Sequence, residues 1–349
     1  MVSIATKNLH LNNKQMEMFE LLEHQDINYS NFVEFFDNIP KWVDFGKNRY
    51  WSYDDHLTSI SNEFKFKHEG VEKLFIVTIK PGRVTRKIKC GNVTTDKDVL
   101  IYPSIQREEA VYDALRKLAH SGQGGFYGDD LGTKFTLRKL RQELIKFKKT
   151  LSIPEIKESL RVLRSAEIHI TEINSGIEWS PSYLSNLVLT TRDQYDKGGE
   201  QKCLAIFDTL VSTGVKAVDF REFNYAIAQN TKNPIAKYLI KRMDRNYKQA
   251  GECKPYTIKL STIFKAIYRQ TDKKMSNNTR HMNNAIKEMK EKLRIVNCEI
   301  EVIKCHWDKN KTVDVKYSFY PHSSLIDDVK RFHAKYNANQ KRAKIYNLT

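Results

Sequence analysis

The chain has 349 residues, 40% hydrophobic and 29% charged, and its 59 Lys and Arg against 42 Asp and Glu leave a formal net charge of +17. That balance suits a soluble, globular chain of two or three domains, and no run approaches the roughly 20 apolar residues of a membrane span. Met1–His24 has no apolar core segment and the five cysteines are scattered without a CxxC pair, which predicts a cytoplasmic protein without a disulfide framework or zinc site.

The charge is uneven. Residues 231–349 hold 27 basic and 11 acidic side chains, a net of +16, whereas the first 230 hold 32 and 31, a net of +1. A positive field confined to one module points to a polyanion. Nucleic acid is favoured over an acidic membrane face, because neither a basic amphipathic helix nor a lipidation signal stands out.

Residues 1–72 are aromatic-rich without a clean period and read as an N-terminal accessory region packed on the next domain. Leu74–Ile79, Val84–Cys90 and Val99–Tyr102 read as short strands, with Pro81-Gly82 as a turn. Val111, Ala114, Leu115 and Leu118 then recur at helical spacing, and a Gly-rich loop, Ser121–Gly132, comes after them. Thr136 is a candidate N-cap for a helix carrying Leu137, Leu140 and Leu144. Ser152, Pro154 and Glu155 have the form of a capping box before Ile156, Leu160 and Leu163. Glu167–Ile173 and Tyr183–Thr190 read as strands, which predicts three helices and a two-stranded ribbon. Cys203–Leu210 and Phe220–Gln229 read as helices.

Asn233-Pro234 opens the basic third, where the same order recurs. One helix carries Ile235, Leu239, Met243 and Tyr247, and a second carries Leu260, Ile263, Phe264 and Ile267. A third, from about Asn277 to Arg294, has the stripe Met282, Ile286, Met289 and Leu293. Val296–Val302 and Val313–Phe319 alternate on either side of Asp308-Lys309-Asn310, as a hairpin with one buried face does. Beyond Lys330 the chain is polar and basic. The reading is α+β: two tandem winged-helix domains, each of three helices and a β-hairpin wing, with an N-terminal extension. Residues 73–230 form the first domain, 231–322 the second, and 323–349 a basic tail.

At 100° per residue, Arg280, Asn284, Lys287 and Glu291 fall opposite the apolar stripe of the third helix, with Asn283 and Lys290 on its flanks. Arg and Asn suit bidentate readout of guanine and adenine in the major groove, and Lys suits phosphate. Any surface helix has a polar face, so the helix alone decides nothing. Its third position, the regional charge and the basic wing (Lys304, Lys309, Lys311, Lys316) together favour DNA. The expected base contacts are Arg280, Asn283, Asn284 and Lys287. The expected phosphate contacts are Lys273, Lys274, Lys290, Lys309 and Lys311.

Enzyme signals fail in detail. Gly122–Lys134 inverts the final Gly-Lys-Ser/Thr of a phosphate-binding loop and comes after a helix rather than a strand. Tyr183, Tyr195 and Tyr225 lack a metal-binding His pair. Asp54-Asp55-His56 reads as a solvated turn, and Cys298 with Cys305-His306 lacks a fourth zinc ligand. The reading is a non-enzyme without cofactor or metal.

Two stretches carry a family likeness. Tyr102-Pro103-Ser104 with Arg107–Ala119, and Ile235–Ile267 including Lys254–Ser261, make the chain resemble an iteron-binding bacterial plasmid replication initiator over roughly residues 75–322. The resemblance implies double-stranded origin repeats as the partner, read mainly by the second domain, with backbone contact or homodimerisation through the first. It also implies origin opening, recruitment of the host replicative helicase and initiator, and a place beside plasmid or nucleoid DNA. A winged-helix transcriptional regulator and a DNA-nicking or primase-like enzyme stay open at this stage.

Overall fold

The computed structural model describes residues 20–22, 26–45, 50–52, 59–68, 71–90, 93–189, 202–252, 254–308 and 311–345. The chain is mixed α+β. It opens with strand β1 (Tyr29–Val33) and the short helix α1 (Glu34–Asn38), then strands β2 (Tyr50–Ser52), β3 (Ile60–His68), β4 (Val71–Lys80), β5 (Gly82–Cys90) and β6 (Val93–Ile101). β3 and β4 form one hairpin, with Ile60 opposite Ile79 and His68 opposite Val71, so strand pairing crosses the 72/73 boundary read from composition. The N-terminal residues enter the core too: Val33, Phe36 and Ile39 are buried in the same cluster as Phe75 and Val111.

Helix α2 (Glu108–Leu118) is buried along its whole length. The Gly-rich segment after it is not an open loop but carries the hairpin β7 (Gly124–Tyr127) and β8 (Asp130–Phe135). A Cβ at Gly132 would lie 2.9 Å from the Ala205 carbonyl oxygen, so glycine lets the neighbouring strand approach. Thr136 caps α3 (Leu137–Ile145), accepting from the Lys139 amide at 3.1 Å. The Ser152–Glu155 capping box opens α4 (Ile153–Ser165) as its sequence predicts.

The ribbon of this first unit differs from expectation. β9 (Glu167–Glu172) pairs with β4 and with β10 (Glu178–Trp179), giving the order β10-β9-β4-β3. β11 (Leu184–Val188) pairs instead with β12 (Cys203–Phe207), in the order β11-β12-β8-β7. Cys203–Phe207 is therefore a strand, not a helix: Cys203, Ala205 and Phe207 are buried in alternation, a period that five apolar residues leave ambiguous. Asp208 then caps α5 (Thr209–Lys216). Phe220–Gln229 likewise splits into β13 (Phe220–Asn224), which pairs with β1, and α6 (Tyr225–Asn230), capped by Asn224.

The second unit holds α7 (Pro234–Asn246), capped by Asn233, strand β14 (Tyr256–Lys259), α8 (Leu260–Ala266), α9 (Met275–Glu291) and the hairpin β15 (Ile295–Lys304) with β16 (Thr312–Pro321). The strand order is β14-β16-β15. Leu239, Met243, Phe264, Met282, Met289, Tyr317 and Phe319 share its core. The expected basic tail is largely a 23-residue helix, α10 (Ser323–Ile345). Leu325 and Val329 enter the second core and Ala343 enters the first, so this helix straps the two units together.

Candidate nucleic-acid interface

The apolar face of α9 is locked. Met282, Ala285, Ile286 and Met289 are buried in the second core. Leu293, expected to continue that stripe, does not. The helix ends at Glu291, and Leu293 takes a positive φ of 54° and is 53% exposed. Asn278, read in sequence as part of a polar groove-entering tip, is also buried. Its amide accepts from the Asp272 N–H and donates to the Asp272 carbonyl, both at 2.9 Å, and so pins the loop before the helix. At the other end the Glu288 carboxylate accepts the Lys232 and Asn233 amides at 2.7 and 2.8 Å, tying α9 to the start of α7.

Opposite this anchored face, Arg280, Asn283, Asn284 and Lys287 are all exposed. They fall within a sector of about 100° on the helix. Lys273, Lys274 and Lys290 are exposed around them. Among the described residues no side chain pairs with any of these seven, so their donors are free for a ligand. Glu291 lies in the same sector, at the C-terminal end, away from the part of such a helix that enters a groove.

The hairpin adds a second element. Val302 faces Val315 and Cys298 faces Phe319 in register, as the alternation predicts. The inner face is unevenly covered: Val315, Tyr317 and Phe319 are buried, whereas Ile300 and Val302 on the edge strand are about half exposed. Burial pushes the Cys298 thiol up to about 11, so it behaves as a small hydrophobe. Lys304 and Lys311 are exposed near the tip, while Lys316 is engaged by Glu301 at 2.9 Å. Lys309 lies outside the described residues, as do Asp54-Asp55-His56 and Tyr195. Pattern reading missed Trp307, which is 91% exposed at the tip beside His306. Its signal was its position, a large aromatic ring in a turn between two basic strand ends.

The positive excess of the last third is partly consumed inside the molecule. Lys237 reaches Glu109 at 3.2 Å, and Lys241 reaches Glu109 at 2.8 Å and Asp113 at 2.9 Å, all from α7 to α2. Arg331 and Lys335 of α10 hold the buried Glu222, and Arg269 holds Asp44. These cations fasten the second unit to acidic groups of the first. The cations that remain unpaired include those around α9.

Neither a family model nor a curated protein matches the chain. Among solved structures it is similar to domains 2 and 3 of RctB, at 10% identity over 84% of this chain and 99% of that one, with a TM-score of 0.42. A selenomethionine form of the same RctB domains matches at 11% identity over 81% of this chain and 95% of that one, with a TM-score of 0.39. It is also similar to the Pi initiator protein in complex with iteron DNA, at 14% identity over 62% of this chain and 94% of that one, with a TM-score of 0.40.

Proposed function

We propose that the chain is a sequence-specific, double-stranded DNA-binding replication initiator built on two tandem winged-helix units. The observation that carries this reading is the unpaired row Arg280, Asn283, Asn284 and Lys287 on a helix whose other face is fixed in the core. Side chains held in place but left without partners suit base edges in a major groove. Lys273, Lys274 and Lys290 around the row, with Lys311 near the hairpin tip and Lys309 of the same basic turn in the sequence, take phosphates, which set register without reading sequence. The replication role rests on the likeness of Arg107–Ala119 and Ile235–Ile267 to initiator modules. In that reading the protein binds origin repeats of a plasmid in the bacterial cytoplasm. It opens the origin and recruits the host helicase without a catalytic step of its own. Its first unit contributes backbone contact or a homodimer interface.

Footprinting the full chain on DNA flanking its own gene tests this. Protected repeats spaced by whole helical turns, about 10–10.5 base pairs each, support it. Uniform protection at all sequences refutes it. Relaxed or covalently linked product from supercoiled origin DNA and Mg²⁺ refutes the non-catalytic role.

A further inference from the structure

The two units enclose a cleft of about 1250 Å³ on the far side of α7 from its buried stripe. Two guanidinium groups of α7 line it, Arg242 and Arg245. Arg242 donates to two tyrosine hydroxyls, Nε to Tyr256 Oη at 2.8 Å and Nη1 to Tyr238 Oη at 3.0 Å. The Arg245 guanidinium lies 5.6 Å above the Phe32 ring, and its buried Nε has no hydrogen-bond partner. Among the described residues neither arginine forms an ion pair with a carboxylate. The nearer acids are committed elsewhere: Asp37 to Arg116 and Lys41, Glu34 to Arg221, and Glu109 to Lys237 and Lys241. Burial lowers the Arg245 pKa despite the attraction of Asp37, and Arg242 lowers it further.

Tyr238 and Tyr256 hold the Arg242 pKa above its ordinary value, yet two adjacent, partly desolvated cations with no paired carboxylate still suit an anion. An aromatic wall stands across the same cleft. Phe35 packs 6.1 Å from Phe66 and 5.7 Å from Trp179, and all three line the space. A cationic end and an aromatic end in one concave site of this size suit a small ligand carrying both phosphate and a flat ring. We propose that this cleft binds a free nucleoside polyphosphate, its phosphates on Arg242 and Arg245 and its base against the Phe35–Trp179 wall. The site is separate from the exposed row of α9, so the two readings stand or fall apart.

The test is calorimetric titration of the full chain with ATP, pyrophosphate, adenosine or an oligothymidylate. ATP should bind saturably and pyrophosphate should compete with it. Arg245→Met should weaken ATP about tenfold or more, with the unfolding midpoint unchanged. Should Arg245→Met fail to fold, Lys248→Glu on the exposed rim provides the same comparison. Binding of double-stranded site DNA by either variant should stay as in the parent chain. Absent saturable ATP binding, or affinity unchanged in the variants, overturns the proposal. So does an oligothymidylate that binds more tightly than ATP and displaces it, which would make the cleft a groove for a strand.

Discussion

Arg294 comes just after α9 and is fully buried. Its guanidinium holds Asp244 of α7 and, at 2.6 Å, Asp328 of α10. Asn224 supports both acids, its amide donating to Asp244 at 3.0 Å and its side chain to Asp328 at 2.9 Å. Tyr29 adds a hydroxyl to Asp328 at 2.9 Å. The cluster built on this one cation therefore ties the segment after α9 to α7 and α10 directly, and through their carboxylates to Asn224 and Tyr29. Arg294→Met keeps the apolar stem and leaves two carboxylates without a counter-charge. Breaking a buried pair from one side costs about 3–5 kcal/mol, and that is the predicted loss at pH 7 in urea denaturation. Burial already raises the Asp244 pKa, and loss of the guanidinium raises it further. A carboxyl with a raised folded pKa binds its proton more tightly in the folded state, so the variant recovers as pH falls. One proton over two pH units is worth at most about 2.7 kcal/mol, so the deficit at pH 5 should be clearly smaller than at pH 7. A loss within about 1 kcal/mol of zero, or one that does not change with pH, would refute this account of the cluster.

Two more outcomes can be checked on the same structure. Burial alone would raise the Glu158 pKa, but hydrogen bonds and charge from Arg86 and Arg107 overcome it and hold the carboxyl at about 2. That stabilisation is present above the ordinary carboxylate range and fades as pH falls toward 2, so Glu158→Gln should cost about 2 kcal/mol at pH 7 and little near pH 2. A gap between variant and parent that stays constant across that range contradicts the assignment. Trp307 is highly exposed, whereas Trp42 and Trp179 pack against core aromatic rings. Its fluorescence should change when site DNA is added, and Trp307→Phe should remove most of that change. An unaltered response in Trp307→Phe places the hairpin tip away from the DNA.

The part of this fold that local pattern reveals is the part held by local physics. Thr136 and Ser152 with Glu155 cap helices where their side chains predict. The two faces of α9 and the alternation of its hairpin are also legible, because one helix and one hairpin carry their own periods. Pairing between distant strands is not. Nothing within Glu167–Glu172 states that it lies beside β4 rather than β11, since its register with Phe75–Lys80 is a tertiary fact. Cys203–Phe207 is too short for its period to separate strand from helix. The last helix was readable in part: Leu325, Val329 and Phe332 recur at spacings of 4 and 3 and are buried, but the surrounding Lys and Arg suggested a solvated tail. Net charge by segment located the candidate interface yet overstated it. It cannot show that Lys237, Lys241, Arg269, Arg331 and Lys335 neutralise acids of the first unit.

The central claim is that α9 reads sequence and its lysine neighbours hold phosphate. Affinity of Arg280→Ala and of Lys273→Ala, measured on the footprinted site and its single-base variants across salt, separates the two roles. Arg280→Ala should cost about 1–3 kcal/mol and erase preference at one base pair. Lys273→Ala should weaken all sequences alike and reduce the log–log salt slope by about 0.9. If Arg280→Ala weakens every sequence equally, or the parent chain binds its site no better than random DNA, the exposed face of α9 does not read bases.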